Sequence, residues 1–306
     1  MSSADTGYHM WDAREDFVRA RRRQTLSAVR RRLQFRPACY DMLLPFDEVV
    51  AALGARGSRD LGEQSIDVDS IVGSVDRTTG FDRLFRPTSD EVESRFARVD
   101  AALRAGEQVP PIDVYRVGDV HFVQDGHHRV AVARALAWET ITAHVVEVLT
   151  AVGADRDLRL EDLPVKGHER LFAERVPLPS TMRAQIELHR SEDYAQLAES
   201  VEAWAFRYLQ LRGTLMDRRQ VAETWFVEEY EPAVRLLRAA GLLTGGTDTE
   251  AYLRLSCERY QLMRSHSWDE AVLSQLRGEQ NPRRRQLSRR QAGQPDQVPA
   301  PRLDPP

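Results

Sequence analysis

Cysteine is nearly missing from this sequence: Cys39 and Cys257 are the only two in 306 residues. They lie far apart and outside any ligand spacing. Neither a disulfide framework nor a zinc site is expected, and the pattern suits a reducing cytoplasm. Long apolar runs are missing too, so no helical membrane span is expected. The opening stretch MSSADTGYHMWDARED has no apolar core of the kind that marks a secretory signal, which again points to the cytoplasm. Lysine is all but absent, with Lys166 the single example. Together with the many alanines, this arginine bias reflects coding in a GC-rich genome and assigns no role. No internal repeat is present.

What is there is globular in composition, with 42% hydrophobic and 29% charged residues. The length allows one large domain or two ordinary ones with a proper core. The formal net charge of −4 hides an uneven distribution. Segment 14–36 carries Arg14, Arg19, Arg21, Arg22, Arg23, Arg30, Arg31, Arg32 and Arg36 against only Glu15 and Asp16. A second basic cluster, RRRQLSRR, occupies 283–290, so the middle is acidic. Such a balance argues against a general nucleic-acid coat and leaves the two ends as candidate phosphate contacts.

Along the chain, residues 11–35 read as one helix whose stripe of Phe17, Val18, Leu26, Val29 and Leu33 docks on the body and leaves arginines in water. PFDEVVAALG at 45–54 gives a short helix ending at Gly54. The alternation in SIDVDSIVGS (65–74) predicts a strand running into a loop. Thr88 and Glu91 form a capping-box pair ahead of a helix closed by Gly106. PIDVYRV and VHFVQ flank Gly118-Asp119, a strong two-residue hairpin signal. A helix to about Ala137 follows, then a strand at 141–148. Pro164, Pro177 and Pro179 bound an expected linker over 151–180. Helices are expected at 191–212, ending at Gly213, and from Asp217 with a break or kink at Pro232. Thr247 with Glu250, and Ser267 with Glu270, are capping boxes for two more. The Pro- and Gln-rich stretch beyond 280 is expected to be disordered.

The chemistry concentrates at 125–129, DGHHR, between the second hairpin strand and its helix. A glycine there lets unpaired amides at a helix N-terminus face outward, where the positive end of the helix dipole favours an anion. His128 and Arg129 fall in the first turn and add donors. Asp125 repels phosphate, so it would cap the helix, orient His128, hold magnesium or act as a general base. An alternative needs no ligand: Gly126 makes the turn, Asp125 caps, and Arg129 pairs with Glu147 or Asp125. Spacing alone leaves the two readings level.

The span PPIDVYRVGDVHFVQDGHHRVAVARALAWETITAHVVEV resembles the core of the ParB/sulfiredoxin superfamily. The similarity lies in the order of a proline-led strand, hairpin, glycine-containing phosphate turn, helix and closing strand. IDVDSIVGSVDR at 66–77 is similar to that superfamily's first strand and arginine-bearing loop, so the resemblance covers roughly 65–150. Sulfiredoxins carry Gly-Cys-His-Arg at the turn; His127 stands where their nucleophilic cysteine would, so that chemistry is not expected. Partition ParB proteins carry Gly-Glu-Arg-Arg and bind CTP. The superfamily's free-serine kinases carry Asp-Gly-x-His-Arg, which Asp125, Gly126, His128 and Arg129 match. The resemblance implies Asp125, with Asp76 as the nearest loop carboxylate, in a catalytic centre. It implies Gly126, His127, His128, Arg129 and Arg77 on nucleotide phosphates, with ATP or CTP and Mg²⁺ as ligands.

Other clusters carry less. Lys166, His168, Glu169 and Arg170 read as a solvated charged loop. Glu228 and Glu229 are adjacent on a helix and point different ways, so core aromatics with exposed acids is the reading of WFVEEYEP. His266 reads as a C-terminal cap. No helix-turn-helix candidate stands out, because the C-terminal helices look long, acidic and aromatic-rich.

The fold expected is α+β: a basic helical arm (1–38), a ParB/sulfiredoxin-like mixed α/β domain (39–150), the linker (151–180), an α-helical domain (181–279) and a disordered tail (280–306). The function expected is a nucleotide-binding Mg²⁺-dependent phosphotransferase or NTP hydrolase. The alternative is a non-catalytic ParB-like DNA-associated or regulatory protein, with nucleic acid as a candidate partner of the arginine-rich arm 14–36 and no membrane partner.

Overall fold

The computed structural model describes residues 8–35, 41–75 and 79–279. Cys39, the candidate loop residues Asp76 and Arg77, and the expected tail with its basic cluster lie outside the described residues. The chain divides into two compact units, Met1–Glu174 and Arg175–Pro306. The first is mixed α/β and the second is helical. Among the described residues no helix is long and apolar enough to cross a membrane.

The first unit is built on a six-stranded mixed sheet in the order β1-β3-β5-β4-β6-β2. Its centre is the expected hairpin, β4 (Ile112–Val117) and β5 (Val120–Asp125), closing with Val117 opposite Val120. Gly118, at φ +57°, supplies the left-handed residue that such a tight turn demands. On one side β5 runs parallel to β3 (Ile71–Ser74), which pairs with the two-residue β1 (Leu44–Pro45). On the other, β4 is parallel to β6 (Thr140–Thr150), and β6 is antiparallel to β2 (Ala55–Asp67). Residues 120–123 are buried without alternation because both sheet faces are covered. One face packs Val114, Val123 and Ile71 against Phe96 of α3 (Glu93–Arg104) and Val130 of α4 (His127–Ala135). The other packs Val72, Phe122 and Val148 against Val49 and Leu53 of α2 (Phe46–Leu53).

Several expectations change. The strand over 65–74 is two strands, β2 and β3, split by a tight turn at Val68–Ser70 where the Asp67 carboxylate accepts from the Asp69 amide at 2.9 Å. β2 starts ten residues before the alternation does, because ARGSRDLGEQ lies on a sheet edge and is mostly solvated. The Thr88–Glu91 capping box does not form. A short turn at Asp90–Val92 follows Ser89, and α3 begins without a side-chain cap. The linker over 151–180 instead carries α5 (Leu163–Arg175). Pro164 stands in its first turn, where a missing N–H costs nothing. Lys166 and Glu169 therefore pair along a helix at 3.0 Å rather than in a loop.

The N-terminal helix α1 (His9–Leu33) is no detached arm. Its seam is Ala13, Phe17 and Ala20, spaced four and three residues apart, and the small alanines let the helix lie close. The Phe17 ring meets the edge of Phe96 at 5.6 Å. Asp16, also buried, pairs with Arg104 of α3, which holds Asp100 at 2.9 Å. Val18, Leu26, Val29 and Leu33, expected in the stripe, are exposed instead.

The second unit contains α6 (Ser180–Arg183), α7 (Ser191–Arg212), α8 (Arg218–Trp225), α9 (Glu231–Ala239), α10 (Asp248–Met263) and α11 (Glu270–Glu279). Asp217 caps α8 and Thr247 caps α10, each with its reciprocal partner in place. The cap of α11 is Asp269 rather than Ser267; its carboxylate accepts from the Val272 amide at 2.9 Å. Around Pro232 the helix widens into a π-turn, Phe226–Tyr230, in which the Glu231 amide reaches back to the Phe226 carbonyl. His266 is not a helix cap; it stacks on Tyr260 at 5.1 Å.

Because Phe17 is 3% exposed in the main core, Phe17→Ala is expected to destabilise the protein by about 3–5 kcal/mol. Denaturant unfolding measures this. An unchanged midpoint would mean that α1 does not contribute to the core.

Candidate functional site

The sheet brings the ends of parallel strands β3 and β5 side by side. β5 ends at Asp125, and the chain turns at Gly126 with φ +105° before α4 begins at His127. A side chain at Gly126 would stand 2.4 Å from Ile112 Cγ2, so both the backbone angle and the close approach require glycine. Gly126, at the N-cap position, offers α4 no side-chain cap of its own. The positive end of the helix dipole lies behind this turn.

The histidines lie inward from this surface. His127 is 5% exposed, and its Nε2 shares a 2.7 Å hydrogen bond with Ser74 Oγ, the last residue of β3. His128 presents its ring to Phe81 edge-on at 5.3 Å, and His127 lies 6.2 Å from Phe85. Both phenylalanines belong to a loop tied by Asp82, whose carboxylate accepts from the Leu84 and Arg86 amides and binds the Arg86 guanidinium. Arg129 points away from the histidines. It pairs with the Asp125 carboxylate and donates to the carbonyls of Pro110 and Pro111, each at 2.5 Å. Of the two pairings considered for Arg129, Asp125 is thus the one present, while Glu147 is occupied by Arg59 and Arg116. Asp125 is 61% exposed. Val75, which immediately precedes Asp76 and Arg77 in sequence, donates its amide to Val123 of β5 at 3.0 Å.

The structure thus brings together Asp125, Gly126, His127, His128 and Arg129, and adds residues that the sequence did not single out. Ser74 and Phe81 are the main additions; only their nearness to the expected first strand could have suggested them. Arg134, one turn on along α4, donates from Nη2 to the carbonyls of Val68 and Ile71, both at 2.9 Å, and so holds the turn between β2 and β3. Burial lowers its pKa. Burial, and next Arg159, push Arg83 down to about 10. Among the described residues no group of three or more His, Cys, Asp or Glu side chains is placed to hold a metal.

A cavity of about 810 Å³ lies beside Arg134 and Trp138, toward the other end of α4. Three arginines, Arg23, Arg86 and Arg134, face three acids, Asp67, Asp69 and Glu139. This balance, and the negative end of the helix dipole, suit a phosphate less well than the turn at Gly126 does.

The class these features define is a mixed α/β unit with a glycine-turn helix N-terminus, joined in sequence to an all-helical unit. Comparison with protein-family models, curated proteins and solved structures finds no match to the chain.

A third buried histidine gives a pH test. His121 Nδ1 lies 2.8 Å from Ser70 Oγ, whose single proton is directed to the Asp67 carbonyl. Burial, helped by Arg116 and Arg156, pushes the His121 pKa down to about 4. The unfolded chain therefore takes up the proton first. Stability is full above about pH 6.5 and falls as pH drops toward the folded value. Urea unfolding at several pH values should show this slope, and His121→Gln should flatten it. An unchanged slope in the variant would remove His121 as its source.

Proposed function

We propose that the α/β unit is a ParB/sulfiredoxin-like nucleotide-binding module, acting as a Mg²⁺-dependent phosphotransferase or NTP hydrolase. The observation that carries this reading is the N-terminus of α4 opening at a left-handed Gly126, beside the ends of two adjacent parallel strands. Ligands of open α/β sheets gather outside such carboxyl ends. The element order from β3 through α3, the β4–β5 hairpin and α4 to β6 agrees with the resemblance over 65–150.

In this reading the first-turn amides of α4 receive a phosphate of ATP or CTP. Arg129 exchanges its Asp125 partner for that phosphate while the proline carbonyls keep it aimed. Phosphoryl transfer needs such positioning and charge neutralisation more than covalent help. Asp125, released and solvent-facing, holds Mg²⁺ or accepts a proton from an attacking hydroxyl. Magnesium would supply charge neutralisation on the phosphates. His127 and His128 serve as the buried frame of the turn, since their rings pack on Ser74, Phe85 and Phe81. Asp76 and Arg77 are the further candidates, by their place in the sequence after Val75.

Calorimetry with ATP, ADP and CTP, each with Mg²⁺ or with chelator, tests the reading. Millimolar or tighter binding is expected, at least about tenfold weaker in Arg129→Ala, since a charge-assisted contact is worth roughly 1.5–3 kcal/mol. Asp125→Asn should keep binding and lose turnover. No binding at millimolar ligand, or unchanged affinity in a folded Arg129→Ala, would contradict it.

The second reading, a non-catalytic DNA-associated or regulatory protein, is favoured by a separate observation. Arg14, Arg22, Arg23, Arg30 and Arg32 are exposed along α1. Electrophoretic shift of the full chain against Arg22→Gln/Arg30→Gln tests it, without removing the helix and its core residues. Weaker, less salt-sensitive DNA binding in the variant is expected under this reading. Equal affinity for both proteins would clear α1 of the role.

A further inference from the structure

A buried guanidinium in the helical unit has fewer acceptors than donors. Arg259 of α10 has a side chain only 4% exposed. Among the described residues its buried Nε and Nη1 find no hydrogen-bond partner of ordinary length. Among the described residues the carboxylate facing it is Glu229, whose Oε1 lies 3.6 Å from Nη1, too far for an ordinary hydrogen bond. That oxygen already accepts from Trp268 Nε1 at 3.0 Å. The Trp268 ring lies 4.0 Å from the guanidinium carbon. Stacking on the ring compensates part of the charge but satisfies no N–H donor. Unmet buried donors are costly, and an arginine stays charged at neutral pH.

A cavity of about 280 Å³ adjoins this group. Arg259, Arg207 and Glu229 line it, together with Trp204, Tyr252 and Tyr260. Burial, with Arg207 and Arg259 next, lowers the pKa of His266 on the same wall. Two guanidiniums and one carboxylate leave a single net positive charge between aromatic walls. The π-turn Phe226–Tyr230 carries Glu229, and such turns recur at functional sites.

We infer that this cavity is a binding site for a small aromatic monocarboxylate, with Arg259 as its anion-recognising group and Arg207 as the second cation. A monoanion cancels the net charge of the two guanidiniums and Glu229 on the cavity wall. A planar apolar body fills the space between the rings. A phosphate dianion would leave one charge uncompensated beside Glu229. The site lies wholly in the helical unit and is independent of the nucleotide reading.

The test titrates the full-length protein with phenylacetate, its neutral isostere phenylacetamide, and inorganic phosphate. Tryptophan fluorescence and calorimetry provide the readouts. Phenylacetate should bind saturably at millimolar concentration or below, at least about tenfold tighter than the amide. Arg259→Met should abolish the preference. Arg207→Gln, at a half-buried position, should weaken phenylacetate with little change for the amide, and it decides the matter if Arg259→Met does not fold. Equal binding of acid and amide, no binding of either, preferential phosphate binding, or an unaffected Arg207→Gln protein would overturn the inference.

Discussion

The α/β unit depends on the joint between β3 and α4. His127 Nε2 and Ser74 Oγ share a buried hydrogen bond there, directly after the glycine that ends β5. That bond fixes the first turn of the helix to the end of the neighbouring parallel strand. Gly126 lets the chain reverse against Ile112 with no room for a side chain. The helix that starts at this point then holds the turn between β2 and β3 through Arg134. One short helix thereby sets the geometry at both of its ends.

Polar groups share in the holding. Asp16, Asp82, Asp100, His121, His127 and His128 are all buried. Asp82 organises a loop through backbone amides and one arginine, and Asp16 joins α1 to α3 through Arg104. Buried charges endure only when paired or hydrogen-bonded. Arg86 and Arg104 form such pairs. The arginines of α1 divide: Arg21 and Arg31 hold the more exposed Asp90 and Asp41, while Arg22 and Arg30 face solvent.

The hairpin, the helix after DGHHR, the helix start at Asp217, the capping box at Thr247 and the Gly213 stop were legible because each rests on local chemistry. What stayed hidden depends on tertiary context. β2 is polar on an edge, so pairing with β6, rather than alternation, makes it a strand. The seam of α1 uses two alanines and one phenylalanine, and the larger apolar residues that drew the eye lie outside it. At the candidate site the turn was visible but the directions of its side chains were not. The histidines face Phe81 and Phe85, and Arg129 turns to Asp125, because of a loop and two prolines outside the motif.

The central claim is that the amides opening α4 are a phosphate site. Backbone ¹⁵N–¹H spectra recorded through an ADP titration in Mg²⁺ test it most directly. The account predicts saturable shifts that are largest at Gly126, His127, His128 and Arg129. Saturable shifts centred on Arg134 and Trp138, or none anywhere at millimolar nucleotide, would contradict it.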